Sequence, residues 1–151
     1  MNKTEKLSHY SIMVVAVSAL VVSVWQVRTS QEHNKLSVRP YLYFFTSWND
    51  GTWQVQMFNE GVGPAIITRV DYTYKGVTHH QIDDLLRAMD MMGKRINSTN
   101  FNGESPYSVG RASLFLHLDR SDSVHRKSLG VNVSVKYESI YEEPFELNLD
   151  F

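Results

Sequence analysis

The sequence predicts a mainly β protein: an N-terminal transmembrane helix, then an antiparallel β-sandwich with one inserted α-helix. An immunoglobulin-like topology is open to it, and a small barrel is the alternative. Three observations carry this reading. No Asp, Glu, Lys or Arg lies between Lys6 and Arg28. From Val38 onward, most of the chain breaks into short alternating segments with turn residues between them. One stretch, from Ile82 to Met89, changes to a helical period.

The apolar stretch is long enough to cross a membrane, since ~20 residues at ~1.5 Å each span the ~30 Å hydrocarbon core. Tyr10 and Trp25 stand near its two ends, at the depth amphipathic rings prefer. Ser11, Ser18 and Ser23 can bond back to a carbonyl one turn earlier. A cleavable signal peptide is the rival, with Val17-Ser18-Ala19 as its small-residue site. The apolar run continues through Leu20 to Trp25, which favours an uncleaved anchor. The expected organisation is a tail at 1–9, a transmembrane helix at 10–27, a juxtamembrane stalk at 28–37 and a β-rich domain at 38–151. Lys3 and Lys6 before the span are nearly balanced by Arg28, Lys35 and Arg39 after it. The short two-lysine tail favours a cytoplasmic N-terminus and an external domain, periplasmic if the source is bacterial.

Residues 40–48 are aromatic and β-prone, and Asn49-Asp50-Gly51 is a hairpin signal. Residues 52–58 alternate, with Trp53, Val55 and Met57 on one face. Residues 65–75 predict a strand in which Ile66, Val70, Tyr72 and Tyr74 share a face that Thr68 interrupts. A short strand at 77–79 and a helix over about 81–92 come next. Residues 97–103 have loop chemistry, and 121–128 are polar and loop-like. Leu114, Leu116 and Leu118 alternate with Phe115 and His117. Val131, Val133, Val135 and Tyr137 face inward on the most regular strand. The last strand, about 143–151, sets Phe145, Leu147, Leu149 and Phe151 on one face.

Charge and composition exclude several functions. Residues 40–151 carry 10 Lys/Arg against 14 Asp/Glu, whereas the first 39 carry 5 against 2. An acidic body lacks the basic face that nucleic acid requires, so no nucleic-acid partner is expected. With no cysteine, disulfides and thiolate metal sites are excluded. No nucleophile elbow and no phosphate loop is present, so neither an enzyme nor a cofactor is expected.

Four groups of residues merit attention. Asn59, Gly61, Gly63 and Pro64 form the string Asn-Glu-Gly-Val-Gly-Pro-Ala. Its glycines permit positive φ, and the string reads as a structural corner rather than an anion nest. Tyr41, Tyr43, Phe44, Phe45, Trp48 and Trp53 make both faces of the first strand aromatic. Burial on both sides explains this. If a patch is instead exposed, Tyr41, Tyr43, Phe45, Trp48 and Trp53 become the expected partner surface. His79, His80, Asp83 and Asp84, with His117 or His125, fit no recognised zinc spacing, so no metal is expected. Glu138, Glu142, Glu143, Glu146 and Asp150 suit the solvent side of an edge strand better than a catalytic pair.

The corner string, residues 38–42 (Val-Arg-Pro-Tyr-Leu) and residues 135–143 together resemble a group of bacterial single-pass membrane-anchored proteins. These share an R-P-x-L strand, an N-x-G-x-G-P-A turn and a late Y-x-S-x-Y strand. The resemblance implies an architecture and a bacterial origin, and carries over no catalytic residue. The expected function is a membrane-tethered protein-interaction or accessory domain, whose partners are the lipid bilayer and a protein or its own copies. The alternative is a ligand-gated effector or sensor, with Ser11, Ala16, Ser18, Ala19 and Ser23 permitting close helix packing.

Overall fold

A computed structural model describes residues 3–49, 51–101, 105–119 and 129–150. The chain divides into two compact units, Met1–Ser37 and Val38–Phe151.

The first unit is one helix, α1 (Lys3–Leu36). Among the described residues it is the one helix long and apolar enough to span a membrane. Val14, Val15, Val17, Leu20, Val21 and Val22 are all exposed, so apolar side chains surround the axis rather than forming a stripe. Ser23 Oγ donates to the Ala19 carbonyl at 2.8 Å, and Thr29 Oγ1 to that of Trp25 at 3.1 Å, so these hydroxyls are satisfied within the helix. The helix does not stop with the apolar run. Residues 28–36 contain neither Gly nor Pro, and the region expected as a stalk continues the same helix. Ser37 ends it, returning both its N–H (3.0 Å) and its hydroxyl (2.8 Å) to the His33 carbonyl.

The second unit contains nine strands among the described residues: β1 (Leu42–Asn49), β2 (Thr52–Asn59), β3 (Ala65–Tyr74), β4 (Val77–His79), β5 (Arg95–Ser98), β6 (Ser105–Tyr107), β7 (Ala112–Asp119), β8 (Val131–Glu138) and β9 (Pro144–Asp150). Helix α2 (Ile82–Ala88) and a 3-10 turn (Met92–Lys94) lie between β4 and β5. All pairings are antiparallel. One sheet has the order β1-β2-β7-β5, the other β4-β3-β8-β9, with β6 also on β3. Naming β1, β2, β3, β5, β7, β8 and β9 as A to G gives A-B-E-D and C-F-G, with β4 beside C. This is the immunoglobulin strand order, reached without its cysteines.

The core lies between the sheets. Val55, Met57, Leu116 and Leu118 meet Ile67, Val70, Tyr72, Val133 and Val135. Across the gap the Tyr72 and Phe115 rings are 5.9 Å apart. Two bulges change the faces read from the sequence. On β3 the register shifts between Ile67 and Arg69, so Ala65 and Ile67 are buried first, then Val70 and Tyr72. Ile66 therefore does not share the core face with Val70, and the interrupting Thr68 marks the bulge. On β7 a shift opposite Val55/Gln56 turns both Phe115 and Leu116 inward and Leu114 outward.

Helix α2 closes one end of the core with Ile82, Leu85 and Leu86. The space between it and the sheets amounts to about 10 Å³, so this end is filled by side chains. The helix is shorter than the 81–92 expected. Asp90 adopts a left-handed φ of 56°. Its N–H reaches the Arg87 carbonyl at 3.1 Å, and the next N–H, of Met91, reaches that of Leu86 at 2.8 Å. These two bonds are a Schellman closure. Strand β5 overlaps the loop expected at 97–103. Three of its four residues are polar and the fourth, Ile96, is exposed, so this edge strand has no alternation to read. Residues 121–128, Asp50, His125 and Phe151 lie outside the described residues.

Candidate functional site

The corner string is built around one buried side chain. Asn59 is fully buried at the end of β2. Its Oδ1 accepts from the Tyr41 N–H at 3.2 Å and the Gly61 N–H at 3.0 Å. Its Nδ2 donates to the carbonyls of Gly63 and Tyr107, both at 3.0 Å. Its own N–H and C=O are bonded to Arg111 and Gly110. A carboxamide has two donor hydrogens and two acceptor lone pairs, and here all are engaged.

The glycines serve a purpose other than the one expected. Neither Gly61 nor Gly63 has a positive φ. They are needed because the string lies against residues 38–41. A Cβ on Gly61 would stand 2.3 Å from the Tyr41 nitrogen, and one on Gly63 1.8 Å from the Val38 carbonyl oxygen. The Glu60 and Val62 N–H groups bond to the carbonyls of Tyr41 and Arg39. With the Gly61 N–H on Asn59, three successive donors turn inward, and none faces a ligand.

The late strand motif joins the same place. Burial raises the pKa of the Tyr137 hydroxyl, which stands near the Leu42 backbone and the Arg39 guanidinium. The Tyr137 ring stacks on Phe145 at 5.4 Å, and the Arg39 guanidinium lies 5.1 Å from the Phe145 centroid. Ser139, buried at the end of β8, accepts the N–H groups of Tyr141 and Glu143 on its hydroxyl. Thus the three segments that carry the sequence resemblance meet at one end of the sandwich. Together they fix the path of the chain into β1.

That path sets the face of β1. Leu42 and Phe44 turn toward the core, where Phe44 meets Phe115 edge-on at 5.0 Å. Tyr41, Tyr43 and Phe45 turn to the outside of the sheet. Tyr41 is 61 % exposed and Phe45 52 % exposed, so this face is a surface and not a second buried side. Tyr43 stacks on Phe58 at 5.1 Å, and Phe45 meets Phe58 edge-on at 6.4 Å. The Tyr43 hydroxyl donates to Glu60 at 3.0 Å. Partial burial and this carboxylate hold the Tyr43 pKa above its ordinary value, so the hydroxyl stays a donor.

Two members of the expected surface are placed differently. Trp53 is 4 % exposed and belongs to the core, because its parity on β2 is that of Val55 and Met57. Trp48 is exposed, but it shares the parity of Leu42 and Phe44 and lies 6.1 Å from the Trp53 ring, away from the Tyr43–Phe45 face. Phe58 carries no signal of its own in the sequence. Its place on this face comes from its pairing opposite Tyr43, which the hairpin register fixes.

The other polar groups are dispersed. His80 Nδ1 lies 2.8 Å from Asp71, Asp84 pairs with Arg87, and Asp83 pairs with Arg95. Among the described residues no three His, Asp or Glu side chains gather as metal ligands. Glu146 and Asp150 accept hydrogen bonds from Ser134 and Asn132 across the β8–β9 pair. No protein-family model and no curated protein matches this sequence.

Proposed function

We propose that this chain is a membrane-tethered interaction module without catalytic activity. Helix α1 holds it in a bilayer by a single pass, and the sandwich presents the outer face of β1 and β2 to a protein partner. The body lies on the external side, which is periplasmic if the bacterial resemblance holds. One observation carries the reading: Tyr41, Tyr43, Phe45 and Phe58 form a contiguous aromatic group on the outside of a sheet, with Tyr41 and Phe45 more than half exposed. Aromatic side chains supply much contact area for little lost rotamer entropy, and they anchor protein interfaces.

The test is photo-cross-linking in intact cells with a benzophenone amino acid in place of Phe45 in the full chain. Covalent adducts with a protein are expected from this position and not from Val62, which is also exposed, at the corner. An absence of adducts at position 45, or equal yields from both positions, removes the reading.

A further inference from the structure

Sheet edges expose backbone N–H and C=O groups that another strand can pair with, and folds guard them with charge, proline or shortness. Most of the edges here are guarded. Strand β9 begins at Pro144 and carries Glu146 and Asp150. Strands β4 and β6 have three residues each, and β5 has four, beginning at Arg95. Strand β1 is different. It has eight residues, Leu-Tyr-Phe-Phe-Thr-Ser-Trp-Asn, with no charge and no proline. Among the described residues, only β2 pairs with it.

Alternation fixes which groups point outward. The Tyr41 carbonyl accepts the Glu60 N–H, so Tyr41 turns its backbone groups toward β2. By the period of two, Tyr43, Phe45 and Ser47 do the same, while Leu42, Phe44 and Thr46 turn theirs to the free edge. Leu42 is buried, with the Tyr137 hydroxyl near its backbone. No strand pairs with Phe44 or Thr46 there among the described residues.

Resting on the proposed interaction role, we infer that β1 pairs antiparallel with β1 of a second copy, about a two-fold axis at Phe45. Phe44 and Thr46 of each copy then exchange backbone hydrogen bonds with Thr46 and Phe44 of the other. Phe45 faces Phe45 on the outer surface, and Tyr43 faces Ser47. The two four-stranded sheets become one of eight strands.

The occupant is a second copy for two reasons. An uncharged strand opposes itself without like-charge contact, whereas β9 against β9 would bring its acidic side chains together. An isologous contact also lets one set of residues serve both partners. A single edge pairing buries little area, and confinement by the anchor raises the effective concentration that a small interface requires.

The chain has no cysteine, so Phe45→Cys introduces a single thiol. A directly opposed, non-hydrogen-bonded pair places its Cα atoms ~4.5 Å apart, within disulfide reach. Oxidation of membranes carrying the full-length variant is expected to give a disulfide-linked dimer, reversed by reductant. Its yield should be at least fivefold that of Ile96→Cys on β5 or Val77→Cys on β4, both also exposed. Adding Thr46→Pro removes one outward N–H at an edge position that tolerates proline, and should lower the yield at least fivefold. Thr46→Lys is the second variant and should do the same by opposing two charges. Equal dimer from all three thiols, or dimer unaffected by both Thr46 variants, overturns the inference. A Phe45→Cys chain that stays monomeric also overturns it. In that case, adducts from position 45 to a different protein keep the interaction role, and their absence removes both.

Discussion

Asn59 and Tyr107 clasp each other across the two sheets. The Asn59 carboxamide donates to the Tyr107 carbonyl at 3.0 Å, and one turn of the β2 pleat away the Tyr107 hydroxyl donates to the Met57 carbonyl at 2.6 Å. Strand β2 belongs to one sheet and β6 to the other, so the pair joins the sheets where a disulfide is absent. Burial raises the Tyr107 pKa and keeps this hydroxyl a donor.

Replacing Asn59 tests the clasp. Asn59→Ala leaves two part-buried N–H groups and two buried carbonyls without their partner, at ~1 kcal/mol or more apiece. A loss of about 3–5 kcal/mol is expected in urea unfolding of the purified chain in detergent. Asn59→Asp has the same shape but sets carboxylate oxygens against the carbonyls of Gly63 and Tyr107, so it should be at least as damaging. A loss below about 1 kcal/mol for both variants would show that the network does not support the corner.

The glycines of the same string separate crowding from backbone freedom. Gly63→Ala places a methyl group against the Val38 carbonyl, and Gly61→Ala places one against the Tyr41 nitrogen. Backbone cannot yield as a side-chain tip does, so each should cost about 3 kcal/mol, at or above the usual range for overpacking. Gly93→Ala has nothing within 4 Å and no positive φ, and should be neutral or stabilising by up to ~1 kcal/mol. Parallel melting curves of the three variants decide this, and equal behaviour would refute the crowding argument.

These residues also separate what a sequence encodes locally from what it does not. Helix α1 was legible as a helix long and apolar enough to span a membrane, because length and apolarity are properties of composition. Strands β2 and β8 were legible because each buries one face and alternates. Strand β5 was not, because a short exposed edge strand of three polar residues and one isoleucine leaves no pattern. The bulges at Thr68 and Phe115 were hidden because an extra residue shifts parity without changing composition. At the corner, Asn-x-Gly-x-Gly marked the place but not the reason. Close approach is set by residues 38–41, about twenty positions upstream, and local sequence does not encode that contact. Tyr41, Tyr43 and Phe45 were identifiable as a group, but their exposure depended on the outer side of the sheet remaining uncovered.

Asp90 offers a stabilising change. It holds the left-handed position of the α2 closure, which glycine occupies without Cβ strain. Asp90→Gly should stabilise the chain by about 0.5–1 kcal/mol, net of the added freedom of the unfolded chain. The melting temperature should rise accordingly, and a fall would mean that the Asp90 side chain supports the turn in its own right.

Asp71 gives a pH dependence with a definite sign. Burial alone would raise its pKa, but hydrogen bonds from Arg69 Nε at 2.7 Å and His80 Nδ1 at 2.8 Å outweigh it, and the carboxyl is held below the ordinary range. The folded chain therefore binds this proton less readily than the unfolded chain. The resulting stability is complete above the unfolded value of ~3.9 and is lost as pH falls through the lower folded value. The native melting temperature should thus fall, as pH drops below about 4, more steeply than that of Asp71→Asn, which has no proton to gain. Arg69→Gln should flatten the same limb in part, because it removes one of the two donors while His80 remains. Superimposable acid limbs for the native chain and Asp71→Asn would show that the pair with Arg69 and His80 adds nothing to folding.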